Sequence, residues 1–167
     1  VFGVGELEFL AEFSFKELKK HFQTGKNNFP AESFASIRKD YLSSIGKLNF
    51  NKSIVTDKMP LNFRFIGFIL EAFPEAKIVH LNRDARATCW SIYKYYFKST
   101  GHGFAHDFKD LSSYYSLYSN LMDFWRKIYP NKIYDISYEK LTANQESETR
   151  KLLKYCDLDW DEKCLNF

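Results

Sequence analysis

Three short apolar runs, SIVTDK (53–58), AKIVHL (76–81) and NKIYDISY (131–138), alternate with longer stretches whose apolar residues recur every three or four positions. That alternation leaves few architectures. Strands separated by helices imply an α/β fold with a mostly parallel sheet, joined by right-handed crossovers and flanked by helices. After Gly5, Leu7, Leu10, Phe13 and Leu18 predict a helix that TGKNNFP breaks. Pro30 suits a first helical turn, and Phe34, Ile37, Tyr41 and Ile45 carry a second helix to Gly46. Pro60 opens LNFRFIGFILEAF, an apolar helix expected to be deeply buried and to end before Pro74. An amphipathic helix is expected from Asp84 to about Phe97. From Asp107 a stripe of Leu111, Tyr114, Tyr115, Tyr118, Leu121, Met122, Trp125 and Ile128 runs to Pro130. ESETRKLLKYCDL gives a last helix with Leu152, Leu153 and Cys156 on one face.

A chain of 167 residues is expected to form a single domain over positions 1–167 with one core. Its 45% hydrophobic and 27% charged residues exclude a disordered chain, and no apolar run approaches the roughly 20 residues of a membrane span. A net charge of +3 is compatible with an anionic small ligand. Lys and Arg are scattered among acids with no basic stripe, so nucleic acid is not expected as a partner. Cys89, Cys156 and Cys164 form no C-x-x-C pair, which points to a reducing compartment and against a disulfide framework. VFGVGELEFL lacks the features of a signal peptide, and Val1 is not a methionine. The chain is therefore expected to begin inside a longer protein, with a cytoplasmic location as the default.

Parallel α/β sheets bind ligands outside the carboxyl ends of their strands. Lys58 follows SIVTD and Arg83 follows KIVHLN, so two cations stand at expected strand ends and an anion is the natural guest. Arg83 offers a planar, permanently charged fork that matches phosphate oxygens. Ser91 lies eight residues on, about two helical turns away, and meets the Arg83 head only if both turn toward one groove. Asp84 is placed to cap the following helix. The alternative is a surface arginine paired with Asp84 and a serine bonded to its own helix.

DKMPLNFRFIGFILEAFPEAKIVHLNRDARATCWSIYK resembles the core of sulfotransferases that use 3′-phosphoadenosine 5′-phosphosulfate (PAPS), especially the tyrosylprotein and tetratricopeptide-linked branch. The shared order is Lys-x-Pro, a helix, a Pro-ended turn, a strand, Arg-Asp-x-Arg and a helix serine. The resemblance implies a three-layer, P-loop-NTPase-like core, with Arg83 and Ser91 on the cofactor's 3′-phosphate and Arg86 as a second phosphate candidate. It also implies that Lys58 contacts the transferring group and that Glu6, in a Gly-Glu pair, is the catalytic base. SYEKL matches the family's Tyr-Glu-x-Leu turn, which puts Tyr138 with the cofactor-binding residues, and LLKYCDLDWDE matches the end of its last core helix. The implied reaction is sulfuryl transfer from PAPS to a small-molecule or peptide hydroxyl, or an amine, leaving adenosine 3′,5′-bisphosphate and using no metal. A Pro-x-Ser-Gly-Thr-type phosphosulfate loop is absent from these residues. So is the family's downstream serine-bearing loop, and the chain is expected to be a fragment that lacks both flanks of its cofactor site.

Two other readings stay open. A P-loop kinase relative would share the α/β pattern but needs a Walker loop that the sequence lacks. A noncatalytic interaction module would use the Tyr-rich helix from Asp107 to Tyr129 as a partner face. His102 and His106 are flanked by glycines and make a poor helical metal face. Glu8 and Glu12 read as a solvated helix face. Tyr93, Tyr95, Tyr96 and Phe97 are expected mainly in the core, with an acceptor pocket or adenine stack as the alternative.

Overall fold

The computed structural model describes residues 1–25, 28–97 and 101–166. The loops expected over 24–29 and 100–106 therefore lie partly outside the described residues. The fold is α/β, with parallel strands and flanking helices, and it separates into two compact units, 1–76 and 77–167.

In the first unit, β1 (Phe2–Gly5) pairs in parallel with β2 (Val55–Asp57). Between them run α1 (Phe9–Thr24) and α2 (Ala31–Gly46). Pro30 stands just before α2 with extended backbone, and the expected stripe is real: Ile37, Tyr41 and Ile45 are buried. Gly25 ends α1 in the left-handed conformation that a C-terminal glycine accepts without strain. The apolar stretch after Pro60 departs from expectation. It begins as a 3-10 helix, Pro60–Phe65, and turns α-helical only over Ile66–Ala72 (α3). Proline at the start removes a donor, and a tighter turn satisfies the first carbonyls before the wider helix begins. Deep burial does hold for Phe65, Ile66, Ile69, Leu70 and Ala72, which complete the core with Leu10 and α2. The strand at Phe2–Gly5 has no counterpart among the expected elements.

In the second unit, β3 (Ile78–Asn82) pairs in parallel with β4 (Ile133–Ser137), in register from Ile78 opposite Ile133 to Asn82 opposite Ser137. The connection carries α4 (Ala85–Lys94), a short 3-10 turn (Gly103–His106) and α5 (Phe108–Ile128). After β4 come α6 (Tyr138–Ala143), α7 (Gln145–Tyr155) and a 3-10 turn (Glu162–Leu165). α5 covers the sheet face that bears His80 and Asp135, where Tyr118 bonds His80 and Arg126 bonds Asp135. Tyr155 of α7 stacks on Tyr134 of the other face at 5.0 Å between ring centres. Leu111 and Met122 of α5 are buried, and so is Ile136 on the other face of the sheet.

On the sheet face opposite α5, Val79 is 42% and Leu81 54% exposed. Three expectations change here. α4 stops at Lys94, where Tyr95 turns extended, three residues short of Phe97. Tyr93, Tyr95 and Tyr96 are exposed, so they are not core residues. Ile128, at the end of the α5 stripe, is exposed as well.

Candidate functional site

Parallel pairing of β1 with β2 puts residues 52 positions apart side by side. Gly5 stands opposite Asp57, and the Lys58 N–H donates to the Gly5 carbonyl at 3.0 Å. The ladder is irregular between Gly3 and Gly5, and Gly5 has φ of +77°, a conformation in which any Cβ is strained. This turn carries the chain from strand to α1 with Glu6 at its bend. Glu6 and Lys58 form an ion pair, Nζ donating to Oε1, with side chains 51% and 71% exposed. The structure thus brings together two residues that the sequence suggested separately.

Next to this pair in the sequence stands a carboxylate, Asp57, that no motif singles out. Asp57 Oδ2 accepts from the Tyr41 hydroxyl at 3.0 Å, and Oδ1 accepts from Asn62 Nδ2 at 3.5 Å. Burial pushes the Asp57 carboxyl above its ordinary value, and the Tyr41 and Asn62 hydrogen bonds pull it back. Burial, followed by the Asp57 charge, also raises the Tyr41 phenol, which stays a donor at neutral pH.

The second unit carries the other candidates, at the carboxyl ends of β3 and β4. Arg83 follows β3 and lays its guanidinium over the Tyr138 ring at 4.8 Å, where β4 gives way to α6. Both residues were implied as cofactor ligands, and the paired strand ends bring them together. Asp84 caps α4 as expected, accepting from the Ala87 N–H at 2.9 Å. Its partner among the arginines is Arg86, at 3.7 Å, and not Arg83. Arg83 forms no direct ion pair among the described residues, although its charge helps to hold the nearby Glu139 carboxyl low. Arg86 is 94% exposed. Ser91 sits exposed on α4 and makes no hydrogen bond to Arg83 among the described residues.

Glu139 completes this corner. Its Oε1 accepts from the Asp84 N–H at 2.9 Å and its Oε2 from the Ser137 hydroxyl at 2.9 Å, which ties the start of α6 to the start of α4. These donors, led by the Asp84 N–H, hold its carboxyl below the usual range. The Tyr-Glu pair of SYEKL was the one sequence signal for this role. Under α5, His80 Nδ1 meets Asp135 Oδ1 at 2.6 Å, and Arg126 binds both Asp135 oxygens at 2.9 and 2.7 Å. Among the described residues no group of three His, Cys, Asp or Glu side chains could hold a metal ion. Nor is any helix long and apolar enough to cross a membrane.

An exposed guanidinium resting on an aromatic ring, with a second arginine one helical turn away, is a donor set that fits a phosphate group. A family model described as "Sulfotransferase family" matches residues 10–162. Among curated proteins the chain is 34% identical over 129 residues to an uncharacterized protein of Aquifex aeolicus, covering 76% of this chain and 17% of that protein. It is 32% identical over 121 residues to a protein-tyrosine sulfotransferase of Drosophila melanogaster, covering 66% and 22%. It is 28% identical over 116 residues to an omega-hydroxy-beta-dihydromenaquinone-9 sulfotransferase of Mycobacterium tuberculosis, covering 64% and 29%. The chain therefore spans less than a third of the length of these curated relatives.

Proposed function

Because the chain belongs to the sulfotransferase family, we propose that it contributes to sulfuryl transfer from PAPS to an acceptor hydroxyl, with Glu6 as base and Lys58 as the charge-stabilising cation. The adjacency of Glu6 and Lys58 at paired strand ends is the observation that carries this reading. In such a transfer the acceptor oxygen bonds to sulfur as the bond from sulfur to the 5′-phosphate oxygen breaks. The enzyme's work is then mainly positioning and neutralising charge on the equatorial and leaving oxygens.

The two side chains divide that work. A carboxylate accepts the hydroxyl proton, a role typically worth about 10²–10⁴ in rate. An ammonium faces the charge that develops on the departing phosphate oxygen. In the resting pair each neutralises the other. An incoming acceptor hydroxyl would take over as hydrogen-bond partner of Glu6 and release the Lys58 ammonium for the sulfuryl oxygens.

Arg83 is assigned to the 3′-phosphate, with Tyr138 as the ring that orients its guanidinium and with Ser91 and Arg86 as further ligands. Support comes from the Arg83 guanidinium lying over the Tyr138 ring with no direct ion pair among the described residues, and from the hydrogen bonds of Glu139 that fix the adjoining backbone. The relatives named for protein tyrosine and for an omega-hydroxy menaquinone both bear hydroxyl acceptors in their names, which favours an oxygen acceptor over an amine.

Calorimetric titration of adenosine 3′,5′-bisphosphate, beside 5′-AMP and an Arg83→Ala variant, tests the assignment. A charge-assisted hydrogen bond contributes about 1.5–3 kcal/mol, so Arg83→Ala should weaken the bisphosphate roughly 10- to 150-fold and leave 5′-AMP almost unchanged. Equal affinity for both nucleotides, unaffected by Arg83→Ala, would overturn it.

A further inference from the structure

The β3–β4 register does not stop where the strands do. His80 and Asp135 form a register pair 55 positions apart, and Asp84 and Glu139 repeat that interval beyond the last ladder pair, Asn82 opposite Ser137. Between them stand Arg83 and Tyr138, one step past the ladder, with the guanidinium over the ring at 4.8 Å. The next backbone acceptor on β4 is withdrawn, because the chain turns into α6 at Tyr138. A side chain takes its place: Glu139 Oε1 accepts from the Asp84 N–H at 2.9 Å.

Both ends of this link are fixed. Glu139 Oε2 accepts from the Ser137 hydroxyl at 2.9 Å, and the Ser137 oxygen accepts from the Lys140 N–H at 3.3 Å. Asp84 directs its own acceptors to α4, where its carbonyl takes the Thr88 N–H at 2.9 Å and its Oδ1 the Ala87 N–H at 2.9 Å. Arg83 thus lies between a residue held in the ladder and a residue held by Glu139. A fixed backbone lowers the entropy still to be lost when a long side chain is ordered around an anion.

A carboxylate in this place could serve as a counter-ion or as a brace. Glu139 and Arg83 form no direct ion pair among the described residues, and hydrogen bonds, led by that from the Asp84 N–H, lower the Glu139 carboxyl more than the Arg83 charge does. We propose that Glu139 is a positioning residue that extends the β3–β4 register past the ends of both strands and so sets Arg83 on Tyr138, acting through the Asp84 N–H and not through its charge. Its bearing on phosphate binding rests on the assignment of Arg83 given above, whereas its effect on the Asp84 turn does not.

The test uses the full-length protein with Glu139→Ala, Glu139→Gln and Glu139→Asp, and with Glu139→Ala combined with Arg83→Ala. Amide hydrogen exchange is read at Asp84, with Thr88 as the control that α4 stays formed, and adenosine 3′,5′-bisphosphate is titrated by calorimetry beside 5′-AMP. Glu139→Ala is expected to speed Asp84 exchange at least about fivefold while Thr88 keeps its protection. It should also weaken the bisphosphate about 5- to 30-fold, and by less than about twofold once Arg83 is already alanine, since an effect routed through Arg83 then has nothing to act on. Glutamine keeps the reach without the charge: its oxygen serves the Asp84 N–H and its N–H₂ the Ser137 oxygen, so Glu139→Gln should stay within about threefold of the parent in both readouts. Aspartate keeps the charge but is one methylene shorter, so Glu139→Asp should behave like Glu139→Ala.

Unchanged Asp84 exchange in Glu139→Ala overturns the proposal whatever the affinity. Tighter bisphosphate binding in Glu139→Gln and Glu139→Ala overturns it as well, because a counter-ion and not a brace would have been removed. Losses that simply add in the double variant do the same. Should Glu139→Ala fail to fold, Glu139→Asp carries both readouts. If the parent protein shows no preference for the bisphosphate over 5′-AMP, the Arg83 assignment fails on its own, and Asp84 exchange alone decides whether Glu139 sets this turn.

Discussion

Replacing Gly5 by alanine tests whether backbone conformation, and not space, sets the Glu6 turn. An added Cβ at Gly5 meets nothing within 4 Å, so no packing penalty arises. The cost is conformational: φ of +77° places a Cβ against its own carbonyl, worth roughly 1–2 kcal/mol for an L-residue. Alanine also narrows the unfolded ensemble, which returns about 0.4–1 kcal/mol. The net expectation is a destabilisation of the first unit by about 0.5–1.5 kcal/mol. Gly46 is the matched control, since its Cβ would also meet nothing within 4 Å and its φ is not positive. Gly46→Ala at the end of α2 should therefore stabilise by about 0.4–1 kcal/mol. The two substitutions are chemically identical and move the urea midpoint in opposite directions. Far-UV circular dichroism and amide exchange are the suitable probes, because Trp90, Trp125 and Trp160 all lie in the second unit and none in the first. A neutral or stabilising Gly5→Ala would refute the strained turn. A loss above about 3 kcal/mol would refute the absence of a packing contact, since it exceeds what φ alone can cost.

Tryptophan fluorescence does follow the second unit, where Asp84→Ala should cost about 1 kcal/mol through loss of the α4 cap. Met122→Ala, at a side chain that is 1% exposed, should cost about 2–5 kcal/mol. Acid should act on the Asp135 and Asp57 contributions with opposite signs. Arg126 hydrogen bonds hold Asp135 below its ordinary value, so its contribution is present above that value and is lost as pH falls through the native one. Asp135→Asn should flatten the acid limb of a pH series of urea midpoints for the second unit. Asp57 is raised by burial, so its contribution is present at low pH and lost as pH rises through the native value. Asp57→Asn should remove that decline from the first unit, and an unchanged pH profile would show that the shift is not there.

The strands after Ser53, Ala76 and Asn131 were legible in the sequence because β-branched runs and flanking turn residues are local signals. The same holds for the α2 stripe from Phe34 to Ile45, and for the Asp84 cap, which bonds an amide only three residues away. The motif order from Lys58 to Ser91 carried the family resemblance for a similar reason: it is written along the chain. β1 was not legible, since FGVG has no alternation and becomes a strand only by pairing with Val55–Asp57 across α1 and α2. The exposure of Leu81 and Tyr96 was hidden too, because burial depends on which helix lies above a residue and not on its hydrophobicity.

The sequence by itself determined the alternation of elements, their caps and the identity of Glu6, Lys58, Arg83 and Tyr138 as candidates. Tertiary structure alone decided that Glu6 meets Lys58, that Arg83 lies on Tyr138, and that Glu139 ties the start of α6 to the start of α4. The reason is physical. Propensity and capping act through backbone atoms within about one helical turn, whereas these pairings join residues some 50 positions apart, and only strand register brings such residues within hydrogen-bonding distance.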